Sequence, residues 1–404
     1  MNSKLLGALL PGIGLLVVGV GVLLSAVIVP DLKQFPADVD VTRTFELRYL
    51  TLLDADTLQI QRYTPDSADL TISRHIRVEE EADGVILLRE SQTVAHGDEA
   101  LVEQMYHYAL NRRDLLPAVD YPAAWDALDG LWPREGLTIG WPVGVDQRNY
   151  QGWNEDTRAT VSLNFNGQRV VGLAPADRAL VDLFDPPEMA DDHSPEDTLM
   201  VYVFSSDSAP ERLDDAHVAF LGLPDGLPVM RLATLAAGLD LPDVDLPLAA
   251  QLKLVGAITQ AVNEVVGAGA DVPLEYYYDY VALYHIEPTT GVLVDTHKYE
   301  HRAATFPPDV YERVVEILAE MEQDADAADY LPPDILDVVM PITVNEFYYV
   351  MAQESVEDAA EDARTNRDSI NLLENTLPLF SLIGGVVLAM IGGTMYAREE
   401  EGNL

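Results

Sequence analysis

Two long apolar runs, one near each end of the chain, bracket a stretch in which apolar and polar residues alternate. The first run, Leu5 to Pro30, carries no charged side chain, and neither does the second, Leu377 to Ala397. A helix rises about 1.5 Å per residue, so each run is long enough to cross a hydrocarbon core of roughly 30 Å. The first exceeds the apolar core of a secretory leader, and bulky Val27, Ile28 and Val29 follow its only small-residue site at Ser25-Ala26. It reads as an uncleaved anchor. Gly12, Gly14, Gly19 and Gly21 in the first run, and Gly384, Gly385, Gly392 and Gly393 in the second, allow close packing with each other or with a neighbouring chain. Lys4 before the first run and Arg398 after the second place both termini in the cytoplasm. The resulting layout is a tail at 1–4, a span at 5–30, an extracytoplasmic body at 31–376, a span at 377–397 and a tail at 398–404.

The body begins with a period of two. Phe45, Leu47 and Tyr49 alternate with Glu46 and Arg48, the pattern of a half-buried strand. Strands at 58–62, 69–79 and 84–94 follow, the last two forming a hairpin turned at Ala82-Asp83-Gly84. The stretch 99–112 mixes strand and helix cues. All four tryptophans, Trp125, Trp132, Trp141 and Trp153, fall in a Pro- and Gly-rich region that reads as loops around short strands. Asn166-Gly167 predicts a two-residue turn between strands at 158–165 and 169–173. Leu199 to Ser205 reads as a buried strand. Leu248, Leu252, Val255, Ile258, Val262 and Val266 recur at helical spacing and predict an apolar helix over 246–268. The clearest hairpin pairs 274–287 with 291–299. A helix is predicted over 308–321, and a long polar helix over 343–374 running toward the second span. Pro378 predicts a kink where that helix meets the membrane. The fold class that follows is α+β: a large, mostly antiparallel β body with a few helices, flanked by two membrane helices.

Composition narrows the chemistry. There are 68 acidic against 24 basic residues, a formal net charge of −44. Such a surface repels nucleic acid, attracts cations and favours solubility. Only Lys4, Lys33, Lys253 and Lys298 are lysines, and cysteine is absent, so disulfides and thiolate chemistry are excluded. The sequence contains no Gly-x-Ser-x-Gly elbow, phosphate loop, His-Glu-x-x-His motif or dinucleotide fingerprint. Asp54-Ala55-Asp56 and Asp324-Ala325-Asp326 lack the glycine and terminal glutamate of an EF-hand loop. His285, Asp295, His297 and His301 come nearest to a metal cluster, and Asp295 with His297 would share one strand face. They read as surface histidines on a hairpin. Glu188, Asp191 and Asp192 form an acidic loop with oxygen donors suited to calcium. Tyr276, Tyr277, Tyr278, Tyr280 and Tyr284 either stack on a ligand or simply favour a strand. No catalytic residue, cofactor or resident metal is expected, and the chain does not read as an enzyme.

A series of short motifs resembles one family. The first span ends in Val29-Pro30 and is followed by Phe35-Pro36-Ala37-Asp38-Val39. Then come Trp141-Pro142-Val143-Gly144-Val145-Asp146-Gln147-Arg148-Asn149-Tyr150-Gln151-Gly152-Trp153, the Asn166-Gly167 to Val171-Gly172-Leu173 stretch, and Glu287-Pro288-Thr289-Thr290-Gly291-Val292-Leu293-Val294-Asp295. In this order they look like the two-span actinobacterial proteins grouped with the PorA porin of corynebacteria, with Glu287 standing in the family's usual Asp place. The resemblance implies a membrane protein of the cell envelope and carries over no catalytic residue. The two-anchor layout is also similar to class B scavenger receptors, whose bodies conduct lipid, a likeness of topology alone. Two readings follow. One is an envelope protein whose outer body binds or passes a hydrophobic or lipid ligand, the bilayer being its first partner. The other is an oligomeric, cation-preferring pore, assembled as a homo-oligomer through the Gly-rich helices, because two spans cannot enclose a pore alone.

Overall fold

The computed structural model describes residues 3–53, 60–63, 70–97, 99–172, 198–228, 248–322, 336 and 340–401. The body is built on one antiparallel sheet whose strands run in the order β5-β4-β3-β1-β13-β12-β11-β8-β7-β6. These are β1 (Asp40–Leu53), β3 (Leu70–Ala82), β4 (Val85–His96), β5 (Glu99–Asn111), β6 (Tyr150–Asn154), β7 (Ala159–Gly172), β8 (Thr198–Arg212), β11 (Glu275–Ile286), β12 (Leu293–Thr305) and β13 (Ile342–Met351). A short β2 (Ile60–Tyr63) adds to β1, and β9 (Gly226–Leu227) pairs with β10 (Val272–Pro273) apart from the sheet.

The β3–β4 hairpin turns at Asp83 (φ 51°) and Gly84 (φ 80°), the two left-handed positions that a tight hairpin needs. The β11–β12 hairpin is closed by Glu287, whose Oε2 accepts hydrogen bonds from the Thr290 amide (2.8 Å) and hydroxyl (2.7 Å). Gly291 there has φ 72°, and a Cβ on it would meet the Trp141 carbonyl oxygen at 2.6 Å.

Two sequence expectations are corrected. Asn166-Gly167 does not turn a hairpin; β7 runs straight through it. Three steps of β7 from Phe165 to Gln168 match two of β8, so the pair forms a bulge, with Gly167 at φ 113°. The bulge lies just after β7 passes from pairing with β6 to pairing with β8. Likewise, the polar helix predicted over 343–374 begins only at Gln353. Its first part is β13, in the middle of the sheet, where Phe347 and Tyr349 are buried against β1 and β12.

The sheet curls until its two edges approach. The Gly130–Leu137 segment bridges them: the His107 amide of β5 donates to the Gly130 carbonyl (3.3 Å), and Leu137 pairs with Gln151 and Trp153 of β6 (2.8 Å each). The result is a ring of strands with an interior. Along β3 and β4 the outward positions are polar, with Thr71, Ser73, His75 and Arg77 on one strand and Arg89, Ser91 and Thr93 on the next. These two strands lack the outward apolar band of a lipid-facing barrel, whereas the two terminal helices are long and apolar enough to cross a membrane.

Outside the ring, α2 (Asp215–Phe220) is capped by Asp214. The predicted apolar helix is α3 (Leu248–Val265); it packs on α4 (Pro308–Glu322) in a core that includes Leu254, Ile258, Val262, Val310, Val314 and Ile317. Of the predicted stripe, Ile258 and Val262 are core, whereas Leu252 and Val266 are exposed at 63% and 49%. α5 (Gln353–Asn371) buries Val356, Ala360 and Ala363 in a cluster shared with Phe45, Val203 and Leu283. Through a π-helical turn, Leu372–Thr376, it continues into α6 (Leu377–Glu401). Pro378 cannot donate to the carbonyl of residue 374, and the π-helical turn lies just before it, at the place where the sequence predicts a kink.

α1 (Ser3–Leu32) and α6 hold the two apolar runs and pack antiparallel on each other. A Cβ on Gly14 would lie 2.5 Å from the Gly385 carbonyl oxygen, and one on Gly21 would overlap the Ser381 side chain. The other faces expose Leu15, Leu16, Leu23, Phe380 and Met390. Both helices leave the body at one level, joined by a Lys33–Glu374 ion pair of 2.7 Å.

Candidate functional site: a charged cavity inside the strand ring

Alternation on the strands sends every second side chain into the ring. On β12 these are Thr296, Lys298, Glu300 and Arg302; on β4, Glu90 and Gln92; on β11, Tyr280 and Tyr284. Arg74, Tyr108 and Tyr349 enter from β3, β5 and β13, and Asn154, Glu155 and Asp156 from β6 and the turn after it. They surround a cavity of about 200 Å³, with Leu137, Trp141, Leu163 and Leu293 supplying an apolar side.

The charges are paired. Arg74 binds Glu90, whose other oxygen accepts the Tyr108 hydroxyl at 2.6 Å. Lys298 binds Glu300, which also accepts from Tyr278 at 3.1 Å. Arg302 donates through Nη2 to Asp156 Oδ1 at 2.5 Å, reaches Asn345 Oδ1 at 3.2 Å, and lies over the Tyr278 ring at 5.0 Å. His217 Nε2 lies 3.3 Å from the same Asp156 oxygen. In the Gly130–Leu137 strap, Arg134 binds Glu155 at 2.6 Å, donates to the His107 and Gly130 carbonyls, and stacks between Tyr108 and Trp132. One guanidinium therefore fastens the strap to β5 and to the end of β6.

Burial and partners set the protonation states. Burial pushes Glu90 toward neutrality, but the Arg74 guanidinium and the Tyr108 hydroxyl outweigh it and hold the carboxyl below its ordinary value. Burial is likewise overcome at Asp156, where Arg302 and His217 hold the carboxyl well below the usual range. At Glu155 burial wins over Arg134 and the carboxyl is raised. Lys298 is held well above its ordinary value because Glu300 and the surrounding tyrosines outweigh burial. Burial pushes the Tyr284 hydroxyl up to about 12, so it stays a neutral donor.

These directions fix a pH response. Carboxyls depressed in the fold contribute stability above their unfolded values of about 4, and lose it as pH falls through the folded ones. Glu155 has the opposite sign and subtracts stability above its raised value. The melting temperature of the full chain in neutral detergent is expected to fall below about pH 4, and Asp156→Asn to shrink that acid-dependent fall. An unchanged fall in Asp156→Asn would locate the acid sensitivity elsewhere.

Sequence reasoning had singled out other residues. Of the tyrosines, Tyr276, Tyr278, Tyr280 and Tyr284 point inward and are largely buried, whereas Tyr277 lies on the other face. Of the four hairpin candidates, His285, Asp295 and His297 converge and are buried, not surface-exposed as expected. His301 lies apart, paired with Asp279 at 2.9 Å. Glu188, Asp191 and Asp192, like Asp54, Asp56, Asp324 and Asp326, lie outside the described residues. The charged cavity went unread, although Lys298, Glu300 and Arg302 at alternate positions of one strand are its signal.

A curled antiparallel sheet whose edges are bridged by one segment, carried on two packed apolar helices and enclosing a charged interior, defines a membrane protein with a barrel-like β body. Residues 6–394 match the family model described as Porin PorA, and the chain belongs to that family. Among curated proteins, no match was found.

Proposed function

We propose that this protein stands in the cell envelope with both termini in the cytoplasm and its β body outside. There the body binds a small polar molecule, or the head group of an amphiphile, in the ring interior. The observation that carries the reading is the cavity itself, with ion-paired side chains on one side and Trp141, Leu137 and Leu163 on the other. Its volume of about 200 Å³ falls below the 300–1,000 Å³ of ordinary ligand pockets, so it suits a head group and not a whole lipid. A lipid ligand would therefore place only its polar end in this cavity. Orientation rests on Lys4 and Arg398 flanking the spans. No catalytic step is assigned to the site.

The test is native mass spectrometry of full-length protein extracted gently from its own membrane, beside Val161→Phe, which fills the cavity from β7. A bound mass on the natural chain that is missing from a folded Val161→Phe variant is the expected result. A mass retained on both, or absent from both, would sink the reading.

Family membership favours a second reading. A homo-oligomer of this chain would form a pore, cation-preferring because of the −44 charge. Its support would be a lipid-free ring by the same mass measurement, together with cation-selective conductance in planar bilayers.

A further inference from the structure

We propose that His285, Asp295 and His297 form a binding site for a divalent transition-metal ion on the outer face of the sheet. The register brings them together: His285 of β11 pairs directly with Asp295 of β12, and His297 follows two residues on, on the same face. One ligand atom from each lies within 4.8 Å of the other two. All three residues are buried, at 4%, 6% and 2% exposure. The site is separate from the ring cavity, because Thr296 and Lys298, which alternate with Asp295 and His297, point the other way into it.

The donor geometry suits an ion. Asp295 Oδ2 and His297 Nε2 are 3.2 Å apart. Two donors each about 2.0–2.1 Å from one tetrahedral ion stand about 3.3 Å from one another. Asp295 is oriented by the Thr296 amide, which donates to its other oxygen at 2.8 Å, the kind of supporting contact a ligating carboxylate uses. The His285 and His297 rings meet edge to face with centroids 5.9 Å apart. Two imidazoles and one carboxylate suit zinc, iron(II), cobalt or nickel; calcium and magnesium prefer all-oxygen sites.

The neighbours make the site rigid. His285 pairs with Val203 of β8, and His297 with Leu283 of β11 and Val350 of β13, all buried. Val203 and Leu283 belong to the cluster that holds α5, the helix that runs on into the membrane. A bound ion would therefore stiffen the part of the body on which the second anchor rests.

The experiment uses the full-length protein in detergent, stripped with a chelator and re-equilibrated with zinc alone. Metal content is read after gel filtration, and affinity by competition with a chromophoric chelator. One zinc ion per chain is expected, with affinity at least about tenfold weaker in His297→Asn and Asp295→Asn, and unchanged in His301→Asn. The acidic surface also attracts zinc, but such binding would be equal in all variants. Should a variant misfold, cobalt on the natural chain gives a second readout, visible d–d absorption at a stoichiometry of one and a melting temperature that rises with the metal. No stoichiometric metal on the natural chain, or equal affinity in His297→Asn, would overturn the site.

Discussion

Replacing Arg302 with methionine is expected to lower the unfolding free energy of the full chain by about 3–5 kcal/mol. Arg302 is buried at 5% exposure and joins three elements: the β6–β7 turn through Asp156, β13 through Asn345 and β11 through the Tyr278 ring. Removing it strands Asp156 in the interior beside His217. A buried carboxylate without its main partner costs far more than the pair itself is worth. Replacing Asp156 with leucine on top of Arg302→Met should therefore recover part of the loss. The comparison is Arg43→Met, whose partners Asp358 and Asp362 are 61% and 59% exposed. There the expected cost is about 1 kcal/mol or less, since exposed pairs contribute little. Urea unfolding in detergent, followed by tryptophan fluorescence, measures the three variants beside the natural chain. Equal small losses for Arg302→Met and Arg43→Met would mean that the interior network does not hold the ring.

How much of this was legible depends on the range of the interactions that decide each element. The two apolar helices are written locally, in runs without charge, and their intramolecular pairing was among the options that the glycines left open. Hairpins were legible where the turn residues and flanking alternation agree, as at Asp83-Gly84 and Glu287–Gly291. Asn166-Gly167 misled because the same dipeptide serves a bulge once a strand runs on to pair with a further strand, and only the fold supplies β8 there. β13 was hidden by its neighbour. Phe347, Tyr349 and Met351 alternate as a strand should, but they run without a Gly or Pro break into the helical sequence after Gln353. Ring closure and the charged interior depend on contacts such as Arg302 with Asp156 and Arg134 with Glu155, which no local window holds. The histidines show both sides of this. Residue type and spacing brought them to notice, while their burial follows from strands β8 and β13, on either side of their hairpin.

Trp141→Ala is expected to cost a further large amount, about 3–5 kcal/mol, and to open the ring at its weakest join. Trp141 follows the strap that bridges β5 and β6. Its ring stacks on Phe204 of β8 at 4.2 Å and meets Tyr150 of β6 edge-on at 5.4 Å. It is buried in a cluster with Leu137, Val145, Leu163 and Ile286. Few backbone bonds hold this region: Leu137 with β6, Gly144 to Thr289 at 3.1 Å, and Val145 to Pro288 at 2.7 Å. Side-chain burial must therefore do what a continuous ladder does elsewhere in the sheet, and Trp141 is its largest member. Truncation also enlarges a cavity that already lies beside it, so the gap cannot close by collapse. Trp141→Phe keeps the stacking on Phe204 and should lose less. Two measurements separate closure from packing. Global stability comes from urea unfolding, and hydrogen exchange at the Leu137 and Trp153 amides reports whether the strap has left β6. In Trp141→Ala those two amides should lose protection ahead of the β11–β12 hairpin. If they exchange only with global unfolding, the strap is held by its backbone bonds and Arg134, and the tryptophan contributes volume alone.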